Sequence, residues 1–222
     1  MSLIWLLLVM VIAILDWVAI AKGWNRIEYF AKPAVMVALL LWVWSTVGWQ
    51  AGMVWFYLGL VFSLSGDVLL MLPREQFIGG LVAFLLAHVA YVIGLSIGAQ
   101  RLGVPDLASV ILIGMASGGL YRSLAGSMVK KGQPGLRLPV LVYATAISLM
   151  VLTASRTLSN PAWVIAHSLL ACLGALLFYL SDAVLAWNRF VSPVGRGHLI
   201  VMVMYHLGQI ALVTGAALHL AG

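Results

Sequence analysis

From residue 3 to residue 220 the chain is a series of apolar runs, each close to the length a helix needs to cross the hydrocarbon core of a bilayer. At 1.5 Å of rise per residue, about 20 mainly apolar residues cover that thickness. On this ruler eight spans are expected, at residues 3–21, 33–49, 52–72, 77–98, 104–121, 138–155, 162–187 and 198–220. Hydrocarbon offers the backbone no hydrogen-bond partner, so each run must be helical, and the fold class is an all-α polytopic membrane bundle. Residues 1–222 form a single transmembrane domain on this reading. With 64% hydrophobic and 8% charged residues, no stretch is polar enough to make a separate soluble unit. The first run has no basic segment before it and no small-residue cleavage site after it, so it reads as a retained span. Pro33, Pro105, Pro139 and Pro161 fall near the expected span starts, where a missing N–H costs nothing in the first helical turn.

The net charge of +6 is not a nucleic-acid footprint, because the cations are scattered over short connections. They are better read as topology signals. Lys22, Arg26, Lys32, Arg74, Arg122, Lys130, Lys131, Arg137, Arg189 and Arg196, ten of the twelve, fall in odd-numbered connections; Arg101 and Arg156 fall in even-numbered ones. Basic residues gather on the cytoplasmic side, so both termini are expected outside, in a bacterial inner membrane.

Within this apolar background two acids stand out. Asp67 in FSLSGDVLLML (62–72) and Asp182 in FYLSDAVLAW (178–187) each sit inside a span after a similar aromatic-x-Leu-Ser lead. An acid inside a span is costly and is by default a functional-site candidate. Spans three and seven run in the same direction and carry their aspartates about five residues before the same end, roughly 8 Å in. Spans two, four, six and eight start at that end, and their first halves hold Lys32, His88 with Tyr91, Tyr143, and Tyr205 with His206 and Gln209. Tyr91 shares a helix face with His88, as Gln209 does with Tyr205. The polar side chains therefore converge on the cytoplasmic half of the bundle. Two carboxylates brought together in a low dielectric do not both ionise, so the pair becomes one proton donor and one base.

A four-plus-four internal repeat is suggested by Lys32-Pro33 against Arg137-Leu138-Pro139, and by the Ser-Gly-Asp and Ser-Asp signals followed in each half by a histidine and a tyrosine. Gly94 with Gly98, and Gly114 with Gly118, have the spacing that permits close helix contact.

Structural readings compete at several positions. Asp182 has Arg189 seven residues on as an ion-pair partner, and Lys32 either snorkels to the interface or holds a lipid phosphate beside Arg137. His88 and His206 serve equally well as core histidines, and His198 and His219 fall at interfaces. No HxxxH or HExxH spacing calls for a metal, and no cofactor is expected. Ser65 and Ser181 precede the acids without forming a nucleophile elbow. Cys172 reads as a small buried hydrophobe.

SGDVLLM at 65–71, Lys32-Pro33, His88-x-x-Tyr91, Tyr143, FYLSDAVLA at 178–186 and Tyr205-x-x-x-Gln209 together resemble the YhhN family of lysoplasmalogenases, from span two through span eight. The resemblance implies an eight-span ether hydrolase that cleaves the vinyl ether of a lysoplasmalogen to a fatty aldehyde and glycerophosphoethanolamine or glycerophosphocholine. It makes Asp67 and Asp182 the catalytic acids, with Lys32, His88, Tyr91, Tyr143, Ser181, Tyr205 and Gln209 as substrate-binding or supporting residues. The partners implied are a lysophospholipid substrate and the surrounding membrane lipids. Vinyl ether hydrolysis needs a proton donor, a carboxylate near the resulting cation and a base for water, and a pair of acids supplies all three. The other reading open at this point is a proton-coupled transporter or lipid flippase that uses the same acids as a relay.

Overall fold

The computed structural model describes residues 3–72, 76–99 and 103–221. Arg74 and Arg101, two of the charges used to orient the chain, lie outside them. The described residues form eight α-helices and no strand: α1 (Leu3–Lys22), α2 (Asn25–Val47), α3 (Val54–Met71), α4 (Phe77–Ser96), α5 (Val104–Lys130), α6 (Arg137–Arg156), α7 (Ile165–Phe190) and α8 (Gly197–Ala221). All eight are long and apolar enough to cross a membrane.

Two helices outrun their expected limits. α2 begins at Asn25 instead of residue 33, and α5 continues to Lys130 instead of stopping at 121. A hydropathy ruler measures only the apolar stretch, whereas the helix carries on through Glu28 and Lys32 at one end and Arg122 at the other. The connection from α1 to α2 is only Gly23 and Trp24, and Gly23 takes φ 69°, a left-handed conformation that suits glycine. Pro33 is consequently inside α2, with about two turns of helix before it. Its missing N–H leaves the Tyr29 carbonyl without the usual partner four residues on. Pro105 and Pro139 do occupy first turns, and Pro161 precedes α7.

The helices pack in a repeating pattern. α1 packs on α2, α2 on α3 and α3 on α4; likewise α5 packs on α6, α6 on α7 and α7 on α8. The two halves meet through α4 against α6 and through α8 against α2, α1 and, least, α3.

The most intimate pair is α7 with α8. A Cβ on Gly174 would lie 2.2 Å from the Leu212 backbone nitrogen, and one on Gly215 would lie 2.6 Å from the Ala171 nitrogen, so only glycine lets these backbones meet. The glycines singled out by spacing behave differently. Gly94 does receive the Phe56 ring, but Gly98 lies beyond α4 at φ 69°, and Gly114 and Gly118 have nothing within 4 Å. Four-residue spacing marks a smooth helix face without saying whether another helix lies on it. In α5 that face is turned outward.

Candidate active site

The ends of α3 and α7 and the beginnings of α2, α4, α6 and α8 meet at one end of the bundle, and there the polar side chains collect. Asp67 lies four residues before the end of α3 and is 1% exposed. Gly66 beside it makes room for Phe84 of α4, whose ring would be 2.6 Å from any Cβ at that position. The carboxylate faces two partners. Lys32 Nζ of α2 is 3.2 Å from Oδ1, and the Tyr205 hydroxyl of α8 donates to Oδ2 at 2.7 Å. Lys32, itself 4% exposed, is turned inward onto Asp67, whereas Arg137 is exposed. The early start of α2 carries it into the bundle, where the buried acid is its counter-ion.

Asp182 is held from both halves, by α6 and α4. Tyr143 of α6 donates to its Oδ2, and His88 Nε2 of α4 lies 3.4 Å from the same oxygen and 3.0 Å from the Tyr143 hydroxyl. With the Tyr143 proton committed to Asp182, His88 is left to donate from Nε2 to the Tyr143 oxygen, which leaves Nδ1 as a buried acceptor without a partner. Arg189 lays its guanidinium over the Phe77 ring, 3.8 Å from the centroid.

The remaining residues form a supporting layer. Tyr91 donates to Gln209 Oε1 and Gln209 donates from Nε2 to Ser63 Oγ, each at 2.7 Å, which joins α4, α8 and α3 in the core. Gly59 creates the space for Tyr91, since a Cβ there would be 2.2 Å from its ring. Ser181 donates to the Val201 carbonyl at 3.0 Å and fastens α7 to α8. Ser65 bonds its own helix and lies outside the site.

Asp67 and Asp182 border the same cavity, of about 530 Å³, together with Lys32, Ser181 and Tyr205. That size lies within the range of small-molecule sites. Its outer part carries Asn25, Glu28, Asn188, Arg189 and His198, with Glu28 Oε1 and His198 Nε2 2.6 Å apart. A second, almost wholly apolar chamber adjoins it between α4, α5, α6 and α7, lined by side chains such as Leu81, Leu120, Leu124 and Ile147. Asp182 lies on the boundary and lines both. Among the described residues, no three His, Cys, Asp or Glu side chains come together as a metal site would need.

One buried acid escaped the sequence reading. Asp16 of α1 is 0% exposed, and neither oxygen has a hydrogen-bond partner. Its Oδ2 is 3.9 Å from Nδ1 of the equally buried His206, which accepts from Trp17 Nε1 at 3.1 Å. Asp16 lies within electrostatic reach of Glu28, Lys32 and Asp67. The signal was available, since an acid inside the first span carries the same implication as one inside the third.

The profile of the YhhN family matches residues 27–216. The chain belongs to the YhhN family. The match takes in both aspartates and all of the partners described for them except α1. Among curated relatives, "Lysoplasmalogenase TMEM86B" of Homo sapiens is 32% identical over 197 residues, 86% of this chain and 77% of that protein. "Lysoplasmalogenase" of Mycobacterium tuberculosis (strain CDC 1551 / Oshkosh) is 34% identical over 62% of this chain and 50% of its own length. "Lysoplasmalogenase TMEM86A" of Bos taurus is 31% identical over 72% of this chain and 64% of its own. No solved structure matches this YhhN chain.

Proposed function

We propose that this chain is a lysoplasmalogenase, a membrane hydrolase that cleaves the vinyl ether bond of a lysophospholipid, with Asp182 as proton donor and Asp67 as the ionised partner. The observation that carries the reading is the position of the two acids. Both line one cavity, polar at its outer end, and Asp182 stands where that cavity passes into an apolar chamber. A lysoplasmalogen has the same order of parts: head group, glycerol, ether oxygen, two alkene carbons, hydrocarbon chain. The names borne by the relatives point the same way.

The order of the atoms supports this division of roles. The carbon that takes the proton is the outer alkene carbon, on the chain side, and Asp182 is the acid on that side. Proton transfer from Asp182 leaves a cation shared between the ether oxygen and the carbon bonded to it. Asp67, paired with the Lys32 ammonium at 3.2 Å and oriented by Tyr205, stabilises that cation from the head-group side. Water adds to the cationic carbon and gives up a proton to the Asp182 carboxylate, and the hemiacetal then breaks, its hydroxyl proton passing by way of a carboxylate to the departing glycerol oxygen, to a fatty aldehyde and a glycerophospho-alcohol. One water is consumed and both acids return to their starting states. Tyr143 and His88 hold Asp182 in position throughout.

The basic residues at this end, among them Lys22, Arg26, Lys130 and Arg196, support a cytoplasmic position for the cavity, with both termini outside, in a bacterial inner membrane. A transporter would need the polar path to continue across the bundle. The polar pocket at the opposite end, around Asp106, Arg156 and Asn160, shares no lining residue with the aspartate cavity. The deciding experiment gives purified protein in detergent a 1-alkenyl lysolipid and its 1-acyl counterpart. Aldehyde is expected from the first and no fatty acid from the second; fatty acid release, or no turnover of the vinyl ether, would overturn the proposal.

A further inference from the structure

The apolar chamber beside Asp182 is small as it stands, about 80 Å³ against about 530 Å³ for the polar cavity. A long hydrocarbon chain cannot enter it unless a wall gives way. The wall best able to do so is α5. Only 6% of its span is buried, against 61% in α8, and its partners are α6 and, less extensively, α7. On the far side of this wall an open groove of about 310 Å³ runs between α5 and α6. Ser117, Tyr121 and Ala144 line both the chamber and the groove, so the partition between them is one layer of side chains.

That partition is closed by a chain of hydroxyls. Ser117 Oγ of α5 is 2.8 Å from Ser148 Oγ of α6 and 2.9 Å from the Tyr179 hydroxyl of α7. Ser148 spends its proton on the Ala144 carbonyl at 2.6 Å. The donors then run in one direction, from Tyr179 to Ser117, from Ser117 to Ser148 and from Ser148 to the backbone. Beyond its apolar packing, α5 is joined to α6 and α7 here by two neutral hydrogen bonds, each worth about 1 kcal/mol net in general, and is tied to α6 further along by the Tyr121 hydroxyl donating to the Arg137 carbonyl at 3.2 Å and by Arg156 Nε, 3.6 Å from Asp106 Oδ1. Such a fastening holds a helix and still lets it open.

We infer that the cleft between α5 and α6 is a lateral door, latched by Ser117, Ser148 and Tyr179, through which the alkenyl chain of the substrate enters the apolar chamber from the bilayer and the aldehyde returns to it. The inference rests on the hydrolase reading for the identity of the chain. It accounts for how an insoluble aldehyde leaves a site whose other opening is polar.

The test is a cysteine pair, Ser117→Cys with Ser148→Cys, in a Cys172→Ala background. The two oxygens already lie at the separation from which a disulfide between α5 and α6 can form with small side-chain adjustments. Oxidation should lower turnover of a long-chain alkenyl lysolipid by about tenfold or more, as locking a gating step does. Reductant should restore it. A water-soluble enol ether with a short chain, which reaches the acids through the polar cavity, should be hydrolysed equally well by the oxidised and reduced forms. Undiminished long-chain turnover in the locked form would overturn the door. A second measurement uses the unmodified protein and a non-hydrolysable saturated-ether lysolipid with a photoreactive group at its chain end. Labelling is expected on Leu120, Leu124 and Ile147, and labelling confined to α1 and α2 would refute the chain path. Labelling of the chamber without turnover of either chain length would remove the hydrolase reading and leave the path standing.

Discussion

Replacing Lys32 by Met removes the ammonium that sits 3.2 Å from Asp67 Oδ1 and leaves the carboxylate with the Tyr205 hydroxyl. The two side chains are 5% and 1% exposed, so water does not replace what is lost. Removing one member of a buried ion pair costs about 3–5 kcal/mol, because the other charge stays buried without compensation. For a chain of this size each kcal/mol corresponds to roughly 2–4 °C in melting temperature, so the Lys32→Met variant should melt roughly 6–20 °C below the parent. The double variant Lys32→Met with Asp67→Asn buries no charge and keeps an oxygen for Tyr205 to donate to, and it should recover most of the loss. With nine tryptophans in the chain, intrinsic fluorescence of the detergent-solubilised protein follows the transition directly. If the single variant melts with the parent, Lys32 is not the counter-ion of Asp67. If the double variant melts as low as the single one, the loss comes from Lys32 packing and the ion-pair account fails.

Gly174→Ala should destabilise by about 1–3 kcal/mol, since the new Cβ would lie 2.2 Å from backbone nitrogen of α8, whereas Gly114→Ala, facing open space, should be neutral or mildly stabilising; thermal melts of the two compare them directly. Tyr205→Phe removes a hydrogen bond to an ionised acceptor, in general about 1.5–3 kcal/mol, and should slow vinyl ether hydrolysis by roughly 10- to 150-fold in steady-state assays if that energy positions Asp67. Gln209→Leu strands the Tyr91 and Ser63 hydroxyls in the core and should cost about 1–3 kcal/mol each way it leaves a group unpaired; because Gln209 does not line the cavity, the surviving folded protein should keep its KM.

The sequence announced the parts of this molecule whose cost is local. Eight apolar runs can only be helices in a bilayer, and Asp67 and Asp182 are conspicuous because an acid in a span needs a reason. Direction along the chain was enough to bring Lys32, His88, Tyr143 and Tyr205 to the same end as the acids. What pairs with what depended on contacts between distant helices. Lys32 looked like an interfacial cation because the apolar stretch begins after it, and only the longer α2 turns it inward onto Asp67. Gly114 and Gly118 had the spacing of a helix contact, but the backbones meet at Gly174, Gly208 and Gly215, where no four-residue pair advertises it. Asp16 is the plain omission, an acid in the first span with the same signal as the other two, now found buried within electrostatic reach of Lys32 and Asp67. The apolar chamber could not be foreseen at all, since its lining comes from α3 to α7 and reads in each helix as ordinary core.

The most direct test of the paired-acid account measures aldehyde release from a 1-alkenyl lysolipid by Asp67→Asn and by Asp182→Asn, each first checked for a melting temperature near that of the parent. Both substitutions preserve shape and remove only the capacity to hold a charge or give a proton, and each should lower the rate by about 100-fold or more, the usual contribution of general acid and base groups. Aldehyde release near the parent rate from either folded variant would contradict the claim that the two acids divide the chemistry between them.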